Sequence, residues 1–194
     1  MRMREQVLAV DIGGTKVAVA LVDDQGGLEA ATVRPTPRSA DADVVFAAVA
    51  DAVHTALAGR PLSWSALRVG IGSAGPVDVP TGTISPVNIG AWRGFGVVER
   101  VAAVAEEATG VVPVIGLAGD GHCFALGEHW LGAGRDVDSM VGLVLSTGVG
   151  GGAVIDNRLF AGSTGNAVHL GHISVNAWGP RCVCGCHEIG RAHV

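Results

Sequence analysis

The chain has 194 residues, 48% of them apolar and 16% charged, with 30 glycines, four cysteines, no tyrosine and a formal net charge of −5. This length makes one large domain or two small ones with a core of useful size. The acidic balance, 13 Lys+Arg against 18 Asp+Glu without a basic run, argues against a nucleic-acid binder held by phosphate contacts. No stretch approaches the roughly 20 apolar residues of a spanning helix, and Met1 to Gln6 is too short and polar to lead a signal peptide, so the expected protein has no membrane partner and a cytoplasmic location.

Val7 to Val10 and Val17 to Val22 are β-branched runs around a Gly-rich turn, and Gly26-Gly27 leads to Ala30 to Val33. These predict an antiparallel three-strand meander. From Asp41 to Ala58 the residues Val45, Ala48, Val49, Ala52, Val53, Ala56 and Leu57 recur at helical spacing, with Asp41 as N-cap and Gly59 as stop. Leu67 to Ile71 reads as a buried strand, Val97 to Thr109 as a helix stopped by Gly110, and Val111 to Leu117 as a strand. After Asp120 the apolar residues Cys123, Phe124, Leu126, Trp130 and Leu131 suit a helix to about Gly132, with Cys123 expected in the core. Met140 to Leu145 then predicts a strand, Ser146 to Gly152 a turn and Ala153 to Ile155 another strand. Strand, Gly/Thr turn and strand thus recur at 7–22 and 141–155, a weak internal repeat. The expected architecture is two similar α/β lobes with a boundary near Ala118 and a cleft between them.

Two glycine loops carry the first chemical signal. In Asp11-Ile12-Gly13-Gly14-Thr15-Lys16, consecutive glycines let backbone N–H groups approach an anion, the Thr15 hydroxyl can join them, and Asp11 at the strand end can hold magnesium through water. A plain hairpin turn fits the same residues. Ser146-Thr147-Gly148-Val149-Gly150-Gly151-Gly152 has part of the dinucleotide fingerprint, but a strand and turn follow instead of a helix, and no acid lies about 20 residues on. The Walker ending is absent as well. Two such loops, one per lobe, suit a nucleotide gripped at its phosphates from both sides.

Asp11-Ile-Gly-Gly-Thr-Lys16, Gly119-Asp120 leading to Ala125-Leu-Gly-Glu128, Ser146-Thr-Gly-Val-Gly-Gly-Gly152, Gly171-His172 and Cys182-Val-Cys184-Gly185 stand in the order of the ROK family of sugar kinases and related repressors, which this chain resembles to His187. The resemblance implies a two-lobed α/β fold of the actin-like ATPase (ribonuclease H-like) class. It also implies ATP-dependent phosphorylation of a hexose or N-acetylhexosamine hydroxyl, as in a glucokinase, with Mg2+. It assigns the ATP phosphates and magnesium to Asp11, Gly13, Gly14, Thr15 and Lys16 on one side and to Thr147, Gly148, Gly150 and Gly151 on the other. Asp120 becomes the general base that takes the proton of the attacking sugar hydroxyl, although its position also suits a helix cap. Asn88, His169 and His172 become sugar contacts, Asn88 being equally a common turn residue. Two positions depart from the family pattern: Gly119 replaces an asparagine, and His169 replaces a glutamate, so that a group able to donate stands in place of an acceptor.

His172, Cys182 and Cys184 resemble three of the four ligands of the family's structural zinc. Unliganded thiols are the competing reading. The family pattern continues Gly-x-x-Gly-Cys-x-Glu, whereas here Cys186 and His187 fill the two variable positions and Glu188-Ile-Gly-Arg-Ala-His-Val194 follows. That tail back-translates as GAG ATC GGA AGA GCA CAC GTC, the form of a short-read sequencing adaptor behind one genuine G. The expected organisation is therefore 1–118 as the N-terminal lobe, 119–187 as the beginning of a C-terminal lobe that is incomplete, and 188–194 as a non-native tail. The fragment itself is expected to be inactive, and the full-length parent a homodimer acting on a small-molecule sugar. A sugar-responsive transcription regulator and a non-catalytic sugar sensor are the alternatives; family repressors carry a helix-turn-helix domain ahead of the first glycine loop, where this chain has six residues before Val7.

Overall fold

The computed structural model describes residues 6–59, 67–145, 149–174, 176, 178, 179 and 181. The chain divides between Ala118 and Gly119 into two compact units.

The first unit opens with strands β1 (Val7–Ile12), β2 (Lys16–Val22) and β3 (Leu28–Pro35), the expected antiparallel meander. Alternation along β1 and β2 sends Leu8, Val10 and Ile12, then Val17, Val19 and Leu21, into the core. Helix α1 (Ala42–Leu57) starts where Asp41 accepts the N–H of Asp43 at 2.9 Å, and it lays Val45, Val49, Ala52, Val53 and Ala56 on β2 and β3. The chain then returns as β4 (Arg68–Ser73), parallel to β1. A small hairpin, β5 (Val77–Asp78) and β6 (Thr83–Ile84), precedes helix α2 (Val97–Thr109), and β7 (Val114–Gly119) completes a mixed sheet of order β3-β2-β1-β4-β7. Helix α2 stops at Gly110, which is left-handed (φ 70°) and donates its N–H to the Glu106 carbonyl. Strand β7 begins three residues later than the apolar run predicts. Pro113 has no N–H for the ladder, and the Thr109 hydroxyl accepts from the Val111 N–H instead.

The second unit contains helix α3 (Asp120–Trp130) and strands β8 (Met140–Leu145), β9 (Val149–Ile155) and β10 (Arg158–Leu159), followed by a short 3-10 helix, Leu170–His172. The strands form an antiparallel sheet of order β10-β9-β8, and α3 packs on β8 and β9. The hairpin between β9 and β10 turns on Asp156 and Asn157, both at positive φ, as a two-residue hairpin turn requires.

Two expectations are corrected here. The glycine run was predicted to be turn through Gly152, but β9 starts at Val149, and Gly150, Gly151 and Gly152 pair in register with Val144, Leu143 and Gly142. Cys123 is exposed, not core, because the face of α3 that meets the sheet carries Gly121, His122 and Ala125. Leu126 and Trp130 are largely exposed too. Among the described residues no helix is long and apolar enough to cross a membrane.

Backbone contact explains the glycines. A Cβ on Gly121 would strike the carbonyl oxygen of Gly151 and come within 2.7 Å of its nitrogen; a Cβ on Gly152 would lie 2.7 Å from the Gly121 oxygen. By contrast, Gly127 in the same helix has open space where its Cβ would be. Alanine favours a helix over glycine by about 1 kcal/mol, whereas forcing two backbones apart costs about 1–3 kcal/mol. Denaturant unfolding should therefore show Gly127→Ala more stable by about 0.5–1 kcal/mol and Gly121→Ala less stable by about 1–2 kcal/mol; equal midpoints for the two variants would contradict this packing.

Candidate functional site

Residues assigned to the site fall in both units, and each group is described within its own unit. In the first, Gly13, Gly14 and Thr15 bridge β1 and β2. The Gly13 N–H donates to the Lys16 carbonyl at 2.9 Å, the Thr36 hydroxyl donates to the Gly13 carbonyl at 2.7 Å, and the Thr36 N–H donates to the Thr15 carbonyl at 3.0 Å. These bonds occupy loop carbonyls and, in the first case, also the Gly13 N–H; an anion would be met by amide donors. Asp11, Thr15 and Lys16 are exposed, with Asp11 near the end of β1 and in register with Gly72 of β4. A strand-end carboxylate in the open suits a magnesium ion that keeps part of its water shell.

Asn88 lies against this loop. A Cβ on Gly14 would overlap the Asn88 amide, so the glycine is what allows the two to meet. The segment that carries Asn88 is braced from below: Arg93 donates from Nη1 to the carbonyls of Pro86 (2.8 Å) and Trp92 (2.7 Å). Trp92 is fully buried, stacks on Phe95 with centroids 4.2 Å apart, and donates from Nε1 to the Ala42 carbonyl at the start of α1. The exposed amide of Asn88 thus stands on a fixed base.

In the second unit Asp120 is the first residue of α3. Its carboxylate is exposed and accepts the Gly121 N–H at 2.7 Å. Gly119 is the N-cap and provides no side-chain cap. His169 and His172 stand at the two ends of the short 3-10 helix with their rings stacked, centroids 5.9 Å apart. Burial lowers the His169 pKa below the usual imidazole value; the charges of His172 and His122 push it the same way, and Asp120 opposes them. Asp120 and the two histidines therefore share one electrostatic neighbourhood.

Sequence reasoning missed His122. It is 1% exposed, with Nε2 2.7 Å from the Ala167 carbonyl oxygen and its ring in edge contact with His169 at 6.3 Å. The available signal was its place beside Gly121 and ahead of Ala125, on the buried face of the predicted helix.

Part of the second glycine loop is described. Gly150 has an open Cα face, whereas Gly151 meets the Gly142 carbonyl and Leu170, and Gly171 meets the Val149 carbonyl. Packing accounts for Gly151, and the 3-10 helix that ends at His172 rests on the start of β9. Ser146, Thr147 and Gly148 lie outside the described residues, as do Cys182 and Cys184. Of the three predicted zinc ligands only His172 is described, and among the described residues no three His, Cys, Asp or Glu side chains converge to hold a metal.

Comparison with known proteins follows the same lines. The ROK family model matches residues 7–189. A glucokinase of Thermotoga maritima is 34% identical over 182 residues, 93% of this chain and 54% of its own length. An N-acetylmannosamine kinase of Citrobacter koseri is 38% identical over 179 residues, 92% of this chain and 57% of its own. The crystal structure of a ROK family glucokinase from Streptomyces griseus in complex with glucose and AMPPNP superposes with a TM-score of 0.76 at 34% identity, covering 95% of this chain and 55% of that one. The chain thus spans about half the length of the curated relatives it matches. The α/β fold is the one these kinases share, the actin-like ATPase fold expected from the motifs. Family model, relatives and fold agree over nearly the whole sequence, and the chain belongs to the ROK family.

Proposed function

We propose that the protein is an ATP-dependent kinase for a hexose or N-acetylhexosamine hydroxyl, with Asp120 as its general base. The observation that carries this reading is the setting of Asp120: an exposed carboxylate at the first position of α3, steadied by the Gly121 N–H and within electrostatic reach of His169. A general base needs a fixed carboxylate within reach of the acceptor, and the Gly121 N–H bond at the helix start holds this one in place.

In the proposed reaction the hydroxyl proton passes to Asp120 as the sugar oxygen forms its bond to the γ-phosphorus, and the bond to the bridging oxygen breaks to release ADP. When bound, ATP supplies the phosphoryl group and Mg2+ neutralises the charge on its phosphates. The loop Gly13-Gly14-Thr15, in which the Gly13 N–H is held by the Lys16 carbonyl, is assigned to the phosphates together with Gly148 and Gly150 on the other loop, and Asp11 is assigned to magnesium through water. Lys16 and Thr147 complete the assigned nucleotide contacts. Asn88, His169 and His172 are assigned to sugar hydroxyls; Asn88 can donate and accept, and a neutral His169 can do both at its two nitrogens. Similarity to glucokinases and to an N-acetylmannosamine kinase alike supports a hexose-type acceptor.

Structural zinc on His172, Cys182 and Cys184 is proposed from the chemistry of the donor set, one imidazole and two thiols, which suits tetrahedral zinc. Metal analysis of protein purified without chelator should find about one zinc per chain, with the content lost in Cys182→Ser and Cys184→Ser; no zinc in the unsubstituted protein would remove the assignment.

Coupled ADP-release assays on the full-length parent with glucose, N-acetylglucosamine and N-acetylmannosamine test the kinase reading. Asp120→Asn should lower kcat by about 10²–10⁴-fold with a much smaller change in the sugar KM, the mark of a group acting on the transferred proton. Undiminished turnover in Asp120→Asn would overturn the assignment.

A further inference from the structure

His122 has no role in the reaction as just described, yet it is the only polar side chain buried among the described residues of the second unit. Its Nε2 lies 2.7 Å from the Ala167 carbonyl oxygen. A carbonyl only accepts, so Nε2 carries the proton, and in the neutral ring Nδ1 is left a bare acceptor. Nδ1 is buried and has no hydrogen-bond partner among the described residues, an arrangement that folding alone disfavours.

The bond to Ala167 holds the entry to a strained turn. Val168 sits at φ 59°, in the left-handed region where a β-branched side chain is crowded. His169 follows at φ −73°, ψ 71° as the apex of an inverse γ-turn, closed by the Leu170 N–H on the Val168 carbonyl at 2.8 Å. The Ala167 N–H is held as well, by the Ala161 carbonyl at 3.0 Å. Strain of this kind persists only where surrounding bonds over-determine it. The turn leaves the His169 and His122 rings in a T-shaped arrangement, centroids 6.3 Å apart and planes at 68°. An N–H···N bond of about 3 Å needs the rings about 1 Å closer.

We infer that His122 is a positioning residue for His169: its Nε2–H holds the strained turn, and its Nδ1 accepts the His169 ring N–H when a hexose binds, which leaves the other nitrogen of His169 as an acceptor for a sugar hydroxyl. The inference rests on the sugar-kinase reading for the identity of the ligand. It gives His169 a fixed polarity, accepting from the sugar where a free imidazole could as well donate.

Direct binding of glucose and N-acetylmannosamine to the full-length parent tests it. His122→Leu should weaken binding about tenfold, the loss of one or two hydrogen bonds. His122→Gln, which offers an amide N–H to Ala167 and an oxygen to His169, should recover it to within about threefold. In a His169→Ala background His122→Leu should change affinity by less than about twofold, since a residue that acts through His169 has nothing left to act on. On the unsubstituted chain, labelled with ¹⁵N histidine, the His122 Nδ1 resonance should be that of an unprotonated nitrogen and should move on addition of glucose; this arm stands even where His122→Leu fails to fold. Losses that multiply in the double variant, or an Nδ1 resonance unmoved while glucose binds, overturn the inference and leave the kinase reading intact. Absence of binding by any hexose overturns both.

Discussion

Asp120 and His122 stand where they do because no side chain separates the first turn of α3 from β9. Gly121 meets the backbone of Gly151, Gly152 meets the backbone of Gly121, and Ala125 fills the next position along the helix. The contact is between main chains, so it tolerates little adjustment. Its geometry fixes the direction in which the helix leaves Gly119. An exposed carboxylate at the helix start and a buried imidazole two residues later are both consequences of that one seating.

From this seating the rest of the second unit follows. With α3 flush against the sheet, His122 points into the interior and meets the Ala167 carbonyl, which in turn anchors the segment that presents His169 and His172. The 3-10 helix closes back on β9, where Gly171 leaves room for the Val149 carbonyl and Gly151 for Leu170. Loop, helix and strand are thus coupled through glycines and one histidine. Burial of His169 then lowers its pKa and disfavours its charged form, with the neighbouring imidazoles acting in the same direction. An imidazole and a carboxylate in one neighbourhood bring together an acceptor and a directional hydrogen-bonding group.

Much of this was legible in the amino-acid sequence, and what was not has specific causes. Two helices set by strong local chemistry were found close to their limits, α1 from Asp41 to the Leu57 turn and α2 from Val97 to Gly110, whereas the β-branched runs found the three meander strands but not their ends, since β1 runs on to Ile12 and β3 spans Leu28–Pro35. The errors occur where composition and packing part company. Consecutive glycines look like a turn, yet Gly150 to Gly152 extend β9 in register with Val144, Leu143 and Gly142, and Gly152 is the one of the three whose missing side chain leaves room for α3. Cys123 looks apolar, but a helix seated on Gly121 and Ala125 turns it outward. His122 escaped notice since a buried histidine is recognisable only by its partner, and Ala167 lies 45 residues away. Asp120, Asn88 and His169 were read from motif order, which carries no distances; the contact of Asn88 with Gly14 and the shared neighbourhood of Asp120 and His169 emerge only in three dimensions.

The two glycine-rich hairpins show how one sequence pattern serves different physical needs. Both join antiparallel strands, β1 to β2 and β8 to β9. In the first, the constrained glycine is in the turn: Gly14 makes way for Asn88, and Gly13 and Thr15 are tied to Thr36, so the loop is shaped by side chains brought from elsewhere in its unit. In the second, the constrained glycines are in the strand, where Gly151 and Gly152 make way for α3, β8 and Leu170, and Gly150 alone of the three keeps an open face. A glycine near a ligand and a glycine beneath a helix are indistinguishable in a motif, but they differ in what an added methyl group would meet. At Gly14 it meets the Asn88 side chain; at Gly121 it meets the backbone of β9 and at Gly151 the Gly142 carbonyl of β8, main-chain atoms that cannot yield without moving a helix or a strand. The internal repeat is therefore a repeat of topology, and the demand for glycine within it is set separately in each unit by what packs against the hairpin.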